Sequence, residues 1–395
     1  MAARHPLAVA AALTTIPTSD LTRPEVAVVL GTRPEAVKLA PVILALRQST
    51  ALRCRVYSTG QHRELLDTAL ATFGIEADES LQLMTRDQTL GDFTGDAVRA
   101  LARRFAERRP AMTIVQGDTT TAFCAALAAF YAGVPVAHVE AGLRTGDRSA
   151  PFPEEANRRL VTVLADLHFA PTDGARRHLL AESVPEDRIE VTGNTGIDSV
   201  LHVLARVHRE EVSPPPIAGR RAKAPLVLIT GHRRESFGDA MRDVCGAVSD
   251  LSREFPDVDF VYPVHPNPNV HGPVHQLLGG GSHPNVQLTA PMEYGGFVAL
   301  MAQASLIITD SGGVQEEAPS IGIPVLVTRA NTERPEGLRG GLVQLVGTHR
   351  ETLRRAAAEV LRTPRPAAAI VNPYGDGRAA VRIVARLEAA LTPRP

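Results

Sequence analysis

Three carboxylates, Asp118, Glu140 and Glu154, stand where short apolar runs give way to polar residues, and His232 follows another such run. A carboxylate crowded by others or buried keeps its proton to higher pH and can serve as a general acid or base. Taken singly, each has a plainer role as a helix cap or an ion-pair partner: Asp118, just ahead of Thr119-Thr120-Thr121, is placed to cap the next helix. Occurring together with Arg33 and Lys38, they point to a charged catalytic floor. His232 belongs to Gly231-His232-Arg233-Arg234-Glu235-Ser236, where a histidine beside two arginines can neutralise a diphosphate and hydrogen-bond or protonate it as it leaves.

A second group is suited to holding an anion. In Thr309-Asp310-Ser311-Gly312-Gly313-Val314-Gln315-Glu316-Glu317 a strand runs into a helix, and the glycines let backbone N–H groups approach a phosphate. Ser311 can donate to a phosphate oxygen, the helix dipole favours negative charge, and Glu317 is placed to accept from a ribose diol. With Ala318 to Val325 added, the stretch resembles the nucleotide-diphosphate end of glycosyltransferases with two facing Rossmann-like domains. The turn Gly31-Thr32-Arg33-Pro34-Glu35 differs, having one glycine where a phosphate loop carries several. It reads as a face of the cleft whose Arg33 and Lys38 meet charge arriving from across the gap, with Glu35 a helix-start partner for those cations. His265, His271 and His275 include an i, i+4 pair, but Pro266, Pro268 and Pro273 interrupt any helix that would align them. No metal is expected, and without a G-x-G-x-x-G after any strand no dinucleotide cofactor has a seat.

The elements that position these residues alternate. Val26 to Leu30, Arg55 to Thr59, Thr113 to Gln116 and Pro135 to Val139 read as strands, separated by helices such as Thr120 to Tyr131. A loop at Ser213-Pro214-Pro215-Pro216 and Arg220 to Lys223 marks an interdomain crossing. A second series follows, with strands Pro225 to Thr230, Val258 to Tyr262, Asn285 to Leu288, Leu306 to Thr309 and Pro324 to Val327, and a helix at Arg350 to Leu361. Strands alternating with helices predict parallel sheets, and ligands of such sheets sit beyond the carboxyl ends of strands. The predicted fold is therefore α/β, two facing Rossmann-like domains with the active site in the cleft between them. A chain of 395 residues, 44% hydrophobic, has room for two cores, and a formal net charge of -1 with scattered basic residues disfavours nucleic acid as partner. No apolar run approaches the roughly 20 residues that cross a bilayer. Residues 1–24 read as a disordered extension, and Cys54, Cys124 and Cys245, far apart and without C-x-x-C spacing, fit thiols in a reducing cytoplasm.

Taken in order, GTRPEAVKLAPV, QHRELLD, GDTTTAF, HVEAGLRTGD, PEEANRRL, TGNTGID, GHRRESFG, DSGGVQEEAPS, TERPEG and NPYGDG resemble the non-hydrolysing UDP-N-acetylglucosamine 2-epimerases, from about Val26 to the C-terminal helix. The resemblance implies the glycosyltransferase-B fold, with an N-terminal domain at 25–195, a UDP-binding domain at 196–374, a final helix at 375–393 packing back on the first, and a homodimer. It implies elimination of UDP across C1–C2 of the sugar to 2-acetamidoglucal, then re-addition with the C2 proton on the other face. Asp118, Glu140 and Glu154 become the acid/base candidates, and His232 steadies the departing diphosphate. Arg33, Lys38, Arg144, Arg233, Ser311, Gly312, Gly313 and Glu317 become the substrate- and UDP-binding set. Many bacterial members also carry an allosteric UDP-N-acetylglucosamine site, matched here by Gln61, Gln88 and His265. Asp87 stands where the family often has an arginine, and an anion facing a diphosphate weakens such a site unless Arg86 substitutes. The rival readings are a hydrolysing epimerase, a glycosyltransferase of the same fold and a nucleotide-sugar sensor without chemistry.

Overall fold

The structure is a computed structural model that describes residues 23–61, 63–85, 87–149, 151–233, 236–332, 334–363 and 372–392. Nearly all of the expected extension, and Arg86, Arg234 and Glu235, lie outside the described residues. The first half alternates β1 (Glu25–Leu30), α1 (Arg33–Gln48), β2 (Arg53–Ser58), α2 (Arg63–Ala71), β3 (Glu79–Ser80), α3 (Leu90–Arg108), β4 (Met112–Gln116) and α4 (Thr120–Tyr131). It continues with β5 (Val136–Val139), α5 (Glu154–Leu164), β6 (Leu167–Ala170), α6 (Asp173–Ala181), β7 (Ile189–Val191) and α7 (Thr195–His208). The second half runs through β8 (Leu226–Thr230), α8 (Asp239–Glu254), β9 (Asp259–Pro263), α9 (Pro268–Leu278), β10 (Val286–Thr289), α10 (Tyr294–Met301), β11 (Leu306–Thr309) and α11 (Gly312–Ser320). It closes with β12 (Val325–Val327), β13 (Val343–Leu345), α12 (Arg350–Arg362) and α13 (Ala379–Leu391).

The first sheet has the order β3-β2-β1-β4-β5-β6-β7 and the second β10-β9-β8-β11-β12-β13, with the paired strands parallel. Strands buried on both faces read as continuous apolar runs, as VAVVL and LVLI do. In each sheet the order reverses once, between β1 and β4 and between β8 and β11. At such a switch point neighbouring connections leave on opposite faces and open a crevice beyond the strand ends. GTRPE and GDTTT flank the first crevice, and Gly231-His232-Arg233 and TDSGGVQEE the second.

The expected strands are found with ends shifted by a residue or two. The short β3, β6, β7 and β13 add to them: strands of two to four residues carry too little alternation to be read alone. One expectation fails. His271 and His275 do share a helix, α9, whose Pro268 occupies the first turn, where its missing N–H costs nothing, and whose Pro273 is accommodated within. Their rings lie 4.2 Å apart, yet among the described residues no group of three His, Cys, Asp or Glu side chains is arranged to hold a metal ion.

Helix α7 joins the halves. It packs against α1 and α13 on one side and α10 and α11 on the other, and a single apolar cluster runs from Leu30, Ile43 and Leu46 through Val200 and Val203 to Val298 and Val314. Pro41 within α1 lacks the N–H that would bond the Val37 carbonyl, and the Ser199 hydroxyl of α7 lies 2.6 Å from that oxygen. The N-terminus of α13 is held by Asp198, which accepts from Ala379 and Ala380 N–H at 3.2 and 2.8 Å. No helix among the described residues is long and apolar enough to cross a membrane, and Cys54, Cys124 and Cys245 are thiols.

Candidate functional site

The turn after β1 begins with a glycine for a packing reason: a Cβ on Gly31 would stand 2.2 Å from Thr59 Oγ1 and 2.4 Å from Thr121 Oγ1. Thr32 and Glu35 then form a reciprocal cap on α1. Glu35 is fully buried and accepts from Gly31 N–H (3.0 Å), Thr32 N–H (2.8 Å), the Thr32 hydroxyl (2.9 Å) and the Thr119 hydroxyl (2.6 Å). It is thus a helix-start residue, but its partners are backbone and threonines rather than the expected Arg33 and Lys38. Those cations face outward into the gap: the Arg33 guanidinium donates to the Met292 carbonyl at 3.2 Å, on the far side, and lies near Glu317.

Glu140 follows β5 in a left-handed conformation (φ 63°), an uncommon backbone for a residue with a side chain and one that turns it into the gap. Its carboxylate accepts from Lys38, from Gln116 and, at 3.1 Å, from the Asn194 amide. The same amide nitrogen donates at 3.0 Å to Glu316 of α11, whose other oxygen accepts from Arg334 at 2.6 Å. Lys38, Glu140, Asn194, Glu316 and Arg334 form one largely buried chain from the first sheet to the second, in which each carboxylate is paired with a cation and the neutral Asn194 amide bridges the two. Burial opposes ionisation of Glu140, but Lys38, Arg334 and the Asn194 amide outweigh it, and its pKa lies below the ordinary carboxylate value. For Lys38, too, burial opposes the charged form, and Glu140 with Glu316 reverses the balance, raising it.

Ser311 precedes α11 and its hydroxyl makes no capping bond, while a Cβ on Gly312 would stand 2.6 Å from the Arg334 guanidinium. A Cβ on Gly313 would stand 3.9 Å from the Glu317 carboxyl, an ordinary contact, so Gly313 borders that carboxyl without steric need for glycine. Burial, then the neighbouring Glu316, pushes the Glu317 carboxyl up to about 8. Tyr294 is buried beside Glu317, close enough to perturb it without reaching hydrogen-bond geometry. Across the second switch point, buried Asp310 accepts from the N–H groups of His232 and Arg233, both at 2.9 Å. His232 stacks on His265 with ring centres 5.6 Å apart, and its Nδ1 lies 3.6 Å from Asp310 Oδ1. Burial lowers its pKa, Arg233 and His265 acting in the same direction against Asp310, which favours the neutral imidazole.

Asp118 pairs with Arg158, and Thr119 rather than Asp118 caps α4, so the plainer helix-cap role is excluded and the ion-pair role holds. Glu154 begins α5 at intermediate exposure; its neighbour Glu155 is the buried one, accepting from Thr145 N–H at 3.1 Å and pairing with Arg158 and Arg159. Arg144 makes a bidentate pair with Glu182 at 2.7 and 2.6 Å and donates to Thr162 at 2.9 Å. Gln61 accepts from Thr121 at 3.0 Å, Gln88 donates to Asp96 at 3.1 Å, and His265 Nδ1 accepts from Asn267 N–H at 3.2 Å. The structure thus unites Arg33, Lys38, Glu140, Gly312 and Glu317, and separately His232, Arg233 and His265. Asn194, Glu316 and Arg334 belong to the same network though residue type alone did not single them out. Their motifs, TGNTGID, VQEEAPS and TERPEG, were the available signal. A cavity of about 460 Å³ borders Arg144, Glu316 and Arg334. Another, about 690 Å³, lies by Thr192, Asn372 and Arg382 and is not lined by Glu140, Glu316 or Glu317.

Two parallel sheets facing across a charged gap define the glycosyltransferase-B class. A glycosyltransferase of kitacinnamycin shares that fold at a TM-score of 0.59 and 16% identity. The profile of the family described as UDP-N-acetylglucosamine 2-epimerase matches residues 44–388. The chain is 47% identical to a probable UDP-N-acetylglucosamine 2-epimerase of Ralstonia nicotianae, covering 92% of this chain and 99% of the relative. It is 45% identical to the Escherichia coli UDP-N-acetylglucosamine 2-epimerase, covering 92% and 98%. The crystal structure of the Neisseria meningitidis enzyme bound to UDP-GlcNAc superposes at a TM-score of 0.84, with 43% identity over 92% of this chain and 99% of that one. The chain belongs to the UDP-N-acetylglucosamine 2-epimerase family.

Proposed function

We propose that the protein interconverts UDP-N-acetylglucosamine and UDP-N-acetylmannosamine by eliminating UDP to 2-acetamidoglucal and adding it back. The observation that carries this reading is the buried chain from Lys38 and Glu140 to Glu316 and Arg334, which ties an ionised carboxylate on one sheet to a helix N-terminus suited to a diphosphate on the other. C2 of the sugar has no carbonyl beside it, so its proton leaves only as the C1–O bond to UDP breaks. A base at C2, a proton donor on the opposite face and stabilisation of the leaving diphosphate are all required. Asp118, Glu140 and Glu154 are the acid/base set. His232, neutral beforehand, gains proton affinity as phosphate charge approaches and holds UDP during the intermediate. Ser311, Gly312, Gly313 and Glu317 grip the nucleotide, with Arg33, Lys38, Arg144 and Arg233 meeting the developing charge, and no cofactor takes part. The chain divides at 195/196 into two bodies that close over the intermediate and exclude water, with the last helix returned to the first.

The enzyme is cytoplasmic, where its nucleotide sugar resides, and works as a homodimer. Phe130, Tyr131, Leu160 and Val163, 60, 66, 47 and 83% exposed, lie toward the carboxyl ends of the packed helices α4 and α5 and offer a second copy an apolar face.

Proton NMR of UDP-N-acetylglucosamine with the enzyme in heavy water tests the reaction. Deuterium is expected at C2 of both epimers without stoichiometric free UDP. UDP accumulating together with N-acetylmannosamine identifies a hydrolase, and no exchange with the donor alone rules out epimerisation. Glu140→Gln is expected to slow exchange by about a hundredfold or more.

A further inference from the structure

Asn194 is the one neutral member of the chain linking the two halves. It is 2% exposed, and its hydrogen-bonding groups are all committed. The backbone N–H donates to the Tyr374 carbonyl at 2.7 Å, the carbonyl accepts from Ile197 at 3.0 Å, and Oδ1 accepts from Gly196 N–H at 2.8 Å, capping α7. That cap fixes the amide's orientation, because Gly196 N–H requires an acceptor and Nδ2 must then point away. Nδ2 is left with two hydrogens, aimed at Glu140 and Glu316, one carboxylate from each half. Two carboxylates facing each other in a buried gap repel, and a charged residue between them would pair with one at the expense of the other. An amide nitrogen offers two donors and no charge. Tyr374 braces the arrangement: its carbonyl holds Asn194, and its hydroxyl donates to the Arg334 carbonyl at 2.8 Å. The same residue that starts the helix joining the halves therefore orients one candidate base and the carboxylate at the nucleotide helix together.

We infer that Asn194 is a positioning residue for the epimerisation, holding Glu140 in its reactive orientation and tying that orientation to α11. The inference rests on the proposed reaction. Asn194 touches no reacting atom, so its loss is expected in turnover rather than in nucleotide affinity.

Two variants test it, measured beside the wild type in full-length protein. Asn194→Asp keeps the volume and the cap acceptor but replaces the twin donor with an acceptor. Asn194→Ser keeps a capping hydroxyl too short to bridge both carboxylates. Both are expected to lower kcat about tenfold or more while UDP affinity by calorimetry stays within about threefold. In Asn194→Ser the acid limb of the kcat–pH profile is expected to move to higher pH, because Glu140 loses a donor that favours its ionised form. Wild-type kcat and an unshifted limb in both variants overturn the inference, as does a kcat loss matched by equal losses of UDP affinity and melting temperature. If the wild type itself exchanges no deuterium at C2, the proposed reaction falls and the inference with it. If the wild type exchanges and the variants match it, the inference alone falls.

Discussion

Glu35 accepts four hydrogen bonds, yet full burial outweighs them and pushes its carboxyl up to about 7. The folded chain therefore holds a proton between roughly pH 4.5 and 7 that the unfolded chain has released. Stability from this group is fully present below the unfolded pKa and is lost as pH rises through the folded one, on the order of 3 kcal/mol in all. Glu35→Gln can keep its oxygen toward Gly31 and Thr32 and turn its amide nitrogen to the Thr119 hydroxyl, so it carries no such dependence. Between pH 5 and 8 the wild-type melting temperature is expected to fall relative to that of Glu35→Gln, and parallel profiles would refute the assignment. Glu317 gives a second prediction at this scale. Glu317→Gln turns an amide into the place of the diol acceptor and should weaken UDP binding by about tenfold, read by calorimetry. Unchanged affinity would remove Glu317 from the nucleotide grip.

At the scale of elements, a proline creates the contact between α1 and α7. Pro41 leaves the Val37 carbonyl without its helical donor, and Ser199 supplies one from the neighbouring helix. Ser199→Ala strands a buried acceptor and is expected to cost about 1–3 kcal/mol in chemical denaturation. A loss below a few tenths would mean that Thr195, 3.0 Å from the same hydroxyl, is its working partner. The β1–α1 turn is legible in part. The strand, the helix and the lone glycine follow from pattern, but the glycine's reason does not, since Thr59 and Thr121 reach it from other connections. Likewise Asp118 before three threonines suits a cap by spacing. Arg158, forty positions on, draws its carboxylate away and Thr119 takes over the helix start.

At the scale of the molecule, the halves meet through side chains that sequence separates by more than a hundred residues. Arg33 reaches Met292, and Asn194 reaches Glu316. The exposed apolar face on α4 and α5 gives the prediction here. If the protein is the dimer proposed above, Tyr131→Glu combined with Val163→Glu should convert it to monomer in sedimentation velocity while leaving the melting profile near wild type, because neither side chain is buried in the protomer. A dimer unaffected by both changes would place the interface elsewhere.

Alternation of apolar runs, the polar clusters at strand ends and the motif order determined the two parallel sheets and the family, because hydrophobic period and turn chemistry are local properties. They also brought Arg33, Lys38, Glu140, Gly312 and Glu317 forward as site residues. The partners belong to tertiary structure. Which carboxylate is ionised, which cation is already engaged, as Arg144 is by Glu182, and which neutral residue stands between two anions follow from burial and distance across the gap. Both quantities arise only when the sheets face each other, since the charges that set each site's electrostatics come from the opposite half of the chain.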